Sequence, residues 1–200
     1  MSRKLTQPIS SPCYVAVSGG IDSMVALHFL SRARTPIIVH CDHGTAYGAI
    51  ARKFVESYAQ QRHIALNVHE IDTTAKPTNG LENHWRKFRM GVFNSYDAPV
   101  ITAHHLNDVM ESYLMGMANG FPRMIAPYSD EGNMARPFLL WTRKDIEAYA
   151  QKHKVPYLED PSNADTKFTR NYVRHVMMEN VLRVNPGFEK VIRKKVLAMI

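Results

Sequence analysis

The chain alternates between short β-branched runs and longer stretches in which apolar residues return every three or four positions. That alternation marks β-α-β units and a parallel sheet. Four runs read as strands: YVAVS at 14–18, PIIVHC at 36–41, IALNVHEI at 64–71 and PVITAH at 99–104. Helical periodicity fills 23–34, 49–62, 81–95 and 107–118, and returns at 142–154. In the third of these helices Leu81, Trp85, Phe88 and Val92 form an apolar stripe that reads as core, with Arg86 and Arg89 together on a neighbouring face. Residues 119–133, with Gly120, Pro122, Pro127 and Gly132, read as a loop. Val173, Val176, Met177, Val181 and Val184 make another helical stripe, stopped at Asn185-Pro186-Gly187, with a short last helix after it. The expected fold is α/β: a Rossmann-like parallel sheet of about five strands with helices on both faces over 1–165, then a basic helical extension over 166–200.

Composition narrows the class. At 200 residues with 45% hydrophobic and 22% charged residues, the chain is an ordinary globular mix able to bury a core. No apolar run approaches the roughly 20 residues that span a bilayer, and the N-terminus lacks the apolar stretch of a secretory signal. Cys13 and Cys41 form no CxxC, so neither a disulfide framework nor a thiolate metal site is suggested. A cytoplasmic protein without a membrane partner is expected. The net charge of +7 is concentrated at one end: from Thr166 onward there are eight Lys/Arg against two acids, whereas residues 1–165 hold 17 basic and 16 acidic residues. A neutral body with a basic end suits a polyanion docked there; a solvated basic helix is the alternative.

The sharpest local signal is SGGIDS at 18–23. It ends the first strand and opens a helix, the place where an open α/β sheet meets anions at the positive end of a helix dipole. Gly19 and Gly20 allow backbone N–H groups to approach an anion, and Ser18 and Ser23 add hydroxyls. The loop is neither GxxxxGK[ST] nor GxGxxG, although Asp42 ends the second strand about where a dinucleotide fold places its ribose-binding acid. Asp22 beside a phosphate is repulsive unless a cation intervenes or the carboxylate caps the helix. Mg²⁺ would resolve the conflict.

SGGIDS resembles the SGGxDS loop of the N-type ATP pyrophosphatases (the PP-loop superfamily). CDHG at 41–44 is similar to that superfamily's VDHG, HHLNDVMES at 104–112 to HHxxDQAET, and WRKFRM at 85–90 to ARxxRY. Arg136-Pro137 and EDPSNADTKFTRNYVR at 159–174 resemble the RPL, DPSN and RNxxR signatures of one branch, the tRNA(Ile)-lysidine synthetases. The match departs at Thr45-Ala46, at Val109-Met110, at Met90 and in LMGMANG at 114–120. The resemblance implies a PP-loop fold and a ligase that adenylates the wobble cytidine of tRNA(Ile) bearing a CAU anticodon, then joins free L-lysine to it, with AMP and pyrophosphate released.

ATP and Mg²⁺ are the implied cofactors. The resemblance assigns Ser18, Gly19, Gly20, Asp22, Ser23, His43 and Arg86 to ATP, with Asp22 at the metal. His104, Asp108 and Glu111 are assigned to lysine, and Arg89, Asn163, Arg170, Asn171 and Arg174 to the adenylate or the tRNA. Asp22, Asp42, Asp108 and Glu111 are the expected catalytic acids. A compact form without the additional C-terminal domains of many relatives is expected, with the basic residues of 167–195 gripping the tRNA; a homodimer is left open. A cytidine-thiolating PP-loop enzyme, and a non-catalytic nucleotide- or RNA-binding module, are the alternatives.

Overall fold

A computed structural model of the chain describes residues 5–72, 74, 80–161, 165–167 and 169–200. Six strands form one sheet in the order β3-β2-β1-β4-β6-β5. Strands β1 (Cys13–Ala16), β2 (Pro36–Asp42), β3 (Ala65–Glu70), β4 (Val100–Ile101) and β6 (Met134–Ala135) run parallel. The expected parallel set is thus present, and β5 (Tyr128–Ser129) adds an antiparallel edge to β6. Val15 of β1 lies beside Ile38 of β2 on one side and Ile101 of β4 on the other.

Strand alternation sends residues to two faces. Val15, Val17 and Ile38 join a core with α1 (Ile21–Ser31), α2 (Ala46–Arg62) and α5 (Arg143–His153). Tyr14, Ala16, Val39 and Cys41 turn to the opposite core, closed by Val92 and Phe93 of α3 (Leu81–Asn94). Helices therefore cover both faces, as a buried parallel sheet requires.

A third cluster carries the rest of the chain. Leu106, Val109, Met110 and Leu114 of α4 (Leu106–Ala118) pack with Val173, Met178, Phe188, Ile192 and Val196. These last residues come from a π-helical segment at Val173–Met177, which continues the short α6 (Thr169–Tyr172), and from α7 (Met178–Val184) and α8 (Phe188–Leu197). The two-residue strands β5 and β6 flank a 3₁₀ turn at Asp130–Gly132, inside and just after the stretch expected to be loop. Among the described residues no helix is long and apolar enough to cross a membrane.

Candidate functional site

The chain winds β1-α1-β2-α2-β3 in one direction and then returns through α3 to β4 on the other side of β1. Strand order reverses there, and a crevice opens beyond the carboxyl ends of the strands, where open α/β sheets bind ligands. It has a volume of about 780 Å³. Ser18, Asp22 and Ser23 follow β1, Cys41 and His43 close β2, Thr102 and His104 follow β4, and Arg136 follows β6; all line it.

The glycine loop is shaped by its own hydroxyls. Ser18 N–H donates to Ser23 Oγ at 3.1 Å, Ser23 Oγ–H donates to the Gly20 carbonyl at 2.9 Å, and the two hydroxyl oxygens are 3.2 Å apart. Gly19 sits at φ +88°, which an L side chain rarely adopts. Its carbonyl accepts from Leu158 N–H at 2.9 Å, which fastens the loop to the segment after α5. Helix α1 then begins at Gly20 with no side-chain cap, whereas Thr45, His105 and Thr142 cap α2, α4 and α5. The first-turn N–H groups of α1 are left for an outside acceptor.

Asp22 does not cap α1. Its two oxygens each lie 3.3 Å from Arg143 Nη1, reached from the start of α5, and Oδ1 is 3.5 Å from His105 Nε2. Enclosure in the crevice pushes the Asp22 carboxyl up, against the opposing pull of His105 and Arg143. His105 caps α4: its Nδ1 accepts from Asn107 N–H at 3.2 Å, and Asp108 Oδ2 accepts from His105 N–H at 2.9 Å in return. Burial alone would raise the Asp108 carboxyl, but His105, His104, Arg170 and the capping N–H outweigh it and hold the group below the usual range. Asp108 is ionised at neutral pH. Burial pushes His104 down to about 4, so it is neutral, with Nδ1 2.8 Å from Thr102 Oγ1.

Glu111, one turn further along α4, faces away from the crevice lining and is 1% exposed. Its carboxylate is held by Arg174 Nε at 2.7 Å and Nη2 at 3.1 Å, and by Arg170 Nε at 3.2 Å. Both guanidiniums also lie about 4 Å from Asp108 Oδ1. Arg170 itself reaches the crevice. Arg174 sits in the π-helical segment, and such irregular turns often aim functional side chains. Hydrogen bonds to Glu111 hold its guanidinium more firmly protonated despite burial.

On the opposite wall Arg89 Nη1 is 3.2 Å from His43 Nε2, and burial, then the Arg89 charge, push His43 down to about 4. The imidazole stacks on Trp85, with centroids 5.4 Å apart. Trp85, expected in the core, is half-buried against this site residue. Arg86 pairs with Glu131 at 3.3 Å and is largely exposed. Asp42 is buried and does not line the crevice; its Oδ1 accepts from Gly44 N–H at 2.9 Å in the turn into α2. Asn171 donates to the Asp165 carbonyl at 2.9 Å, and Asn163 lies outside the described residues.

The crevice thus unites Ser18, Asp22, Ser23, His43, Arg86, Arg89, His104, Asp108 and Arg170, while Asp42, Glu111 and Arg174 stand behind it. Sequence reasoning missed Arg143 and His105 as partners of Asp22. No local pattern announces Arg143, which lies 121 residues from its acid; His105 was visible only as the second histidine of HHLND.

A family model described as PP-loop domain matches residues 2–181. A tRNA(Ile)-lysidine synthase from Lactiplantibacillus plantarum is 34% identical over 194 residues, covering 88% of this chain and 43% of that protein. One from Thermosipho africanus is 34% identical, covering 89% and 45%, and one from Thermotoga maritima 32% identical, covering 91% and 48%. The chain spans a little under half the length of these curated relatives. Among solved structures, the NH3-dependent NAD synthetase from Campylobacter jejuni in complex with the nitrate ion shares the fold, with TM-score 0.55 and 16% identity over 95% of this chain and 85% of that one.

Proposed function

The chain belongs to the PP-loop domain family, and from that premise we propose that it adenylates the wobble cytidine of an isoleucine tRNA with a CAU anticodon and joins lysine to it. One observation carries this reading. Across a single crevice, an uncapped helix N-terminus with a glycine loop faces an ionised acid, Asp108, beside a neutral histidine, His104. The first half suits the phosphates of ATP. The second suits an ammonium that must lose its proton before it attacks. The three relatives named above as tRNA(Ile)-lysidine synthases support the same reading, and a tRNA substrate implies a cytoplasmic setting.

Mg²⁺ fits the donor set. Asp22 stands at the loop as a partly exposed carboxylate, and Mg²⁺ characteristically takes one or two carboxylates and completes its shell with phosphate oxygens and water. Among the described residues no group of three or more His, Cys, Asp or Glu is arranged as a metal cage. When bound, the ion would offset the charge between Asp22 and the phosphates. Arg143, already against Asp22, supplies positive charge from the protein side. Arg170 and the Arg89–His43 pair flank the space left for the base and the adenylate.

Ionised Asp108, which lines the crevice, suits pairing with the lysine ammonium, while Glu111 fixes Arg170 and Arg174 behind it. Cys41 lines the crevice, but burial pushes its thiol up to about 11. A thiol kept protonated is a poor nucleophile, which speaks against the thiolation alternative. Incubation with ATP, Mg²⁺, isotopically labelled lysine and the tRNA tests the proposal. Mass analysis of the nucleosides is expected to show labelled lysidine with matching AMP; AMP released equally without lysine, or only with a sulfur donor, contradicts it.

A further inference from the structure

His105 is 2% exposed and serves two contacts with one ring. Its Nδ1 accepts the Asn107 N–H, so in the neutral ring the hydrogen sits on Nε2. That nitrogen is buried without a hydrogen-bond partner. It lies 3.5 Å from Asp22 Oδ1 and 3.6 Å from Asp108 Oδ2. One donor therefore faces two carboxylates, from the glycine loop and from α4, and stands just too far from each to complete a bond. An approach of roughly 0.5 Å by either acid would bring it into the normal hydrogen-bond range. It cannot serve both fully.

We propose that His105 is a positioning residue that couples the nucleotide side of the crevice to its amine side, an inference that rests on the function proposed above. With Asp22 drawn to the cationic charge that accompanies nucleotide, the Nε2–H keeps its proton and turns its hydrogen bond to Asp108. Asp108, already fixed by its backbone bond to His105 and by Arg170 and Arg174, is thereby oriented for the incoming amine. Occupancy on one side then strengthens binding on the other, and by linkage the effect is reciprocal.

Calorimetric titration of lysine into the protein, with and without Mg²⁺ and α,β-methylene ATP, measures this coupling. The wild type is expected to bind lysine about fivefold or more tightly with the nucleotide analogue present. His105→Asn keeps an acceptor for the α4 cap and removes the bridging N–H; it is expected to bind each ligand alone and to lose the coupling. His105→Gln restores a donor near the Nε2 position, and coupling is expected to return at least in part. Coupling that persists unchanged in His105→Asn, or is absent in a wild type that binds both ligands, overturns the inference. A wild type that binds no lysine overturns the functional reading and this inference with it. If the variants fail to fold, nitrogen NMR of wild-type histidines decides: hydrogen on Nε2 of His105, with a shift on adding the analogue, is expected, and hydrogen on Nδ1 is contrary.

Discussion

The hydroxyl hydrogen bonds among Ser18, Gly20 and Ser23 span five residues or fewer, whereas opposite them Glu111 is held by Arg170 and Arg174, 59 and 63 residues away. The two walls of the crevice therefore depend on different things. The glycine loop is shaped mainly where β1 feeds α1, by a positive φ and two serines, with one distant tie from Leu158 N–H to the Gly19 carbonyl. The acid wall exists only while the helices after residue 169 pack on α4, so its chemistry is tied to the third hydrophobic cluster. Disturbing the first should cost chemistry with little loss of fold. Disturbing the second should cost both.

The sharpest way to separate the walls is Asp22→Ala. Turnover is expected to fall on the order of 10³-fold, the scale of losing a preorganised charge at the reacting centre. The melting temperature should move little, because the carboxylate is partly exposed. Undiminished activity would detach Asp22 from the chemistry. Glu111→Gln should do the reverse in stability: removing a buried acid from two guanidiniums is expected to cost about 3 kcal/mol in chemical denaturation. A loss below about 1 kcal/mol would show the wall to be held by packing instead.

Acid should weaken the fold through two histidines of the crevice. His43 and His104 fall from 6.5 to about 4 on folding, so between those values the unfolded chain binds protons that the folded chain refuses. Stability is full above pH 6.5 and declines as pH falls toward 4, with a slope of at most about 1.4 kcal/mol per pH unit for each histidine. Replacing His104 with Gln should flatten the acid limb measured by denaturation at several pH values; an unaltered limb would contradict the burial argument. The smallest effect expected is that of Gly19→Ala. An added Cβ would meet Phe54, Leu158 and Val55 at 3.5 to 3.7 Å, ordinary contacts, so the cost is that of φ +88° alone, about 1 to 2 kcal/mol. A neutral result by thermal melting would mean that the loop relaxes to another conformation.

The contrast also explains what could be read in advance. The parallel sheet and the helices were legible because their periodicities are long and their turns explicit, with most boundaries within a few residues. Strands β5 and β6 were not: each has two residues and, unlike the equally short β4, neither sits in a β-branched apolar run. They are defined by pairing with β4 and with each other, next to Asn133, whose side-chain amide donates to the carbonyls of Phe93, Tyr96 and Ala98. The apolar stripe of α3 was legible as a stripe, but periodicity does not say whether Trp85 meets the sheet or His43. Asp42 could be placed at the end of β2, yet the direction of its carboxylate is fixed by the Gly44 N–H, a contact within CDHG that appears only once the turn is folded. On the acid wall, Asp108 and Glu111 were visible through the likeness of HHLNDVMES to HHxxDQAET. Their division, one facing the crevice and one gripping two arginines, is set by how α6 and the π-helical segment seat on α4.

The most direct test of the whole account is ATP–pyrophosphate exchange with labelled pyrophosphate. If the glycine loop delivers AMP to the base before the amine acts at Asp108, exchange should require the isoleucine tRNA and proceed without lysine. Exchange supported by lysine in the absence of tRNA would place AMP on the amino acid and contradict the account.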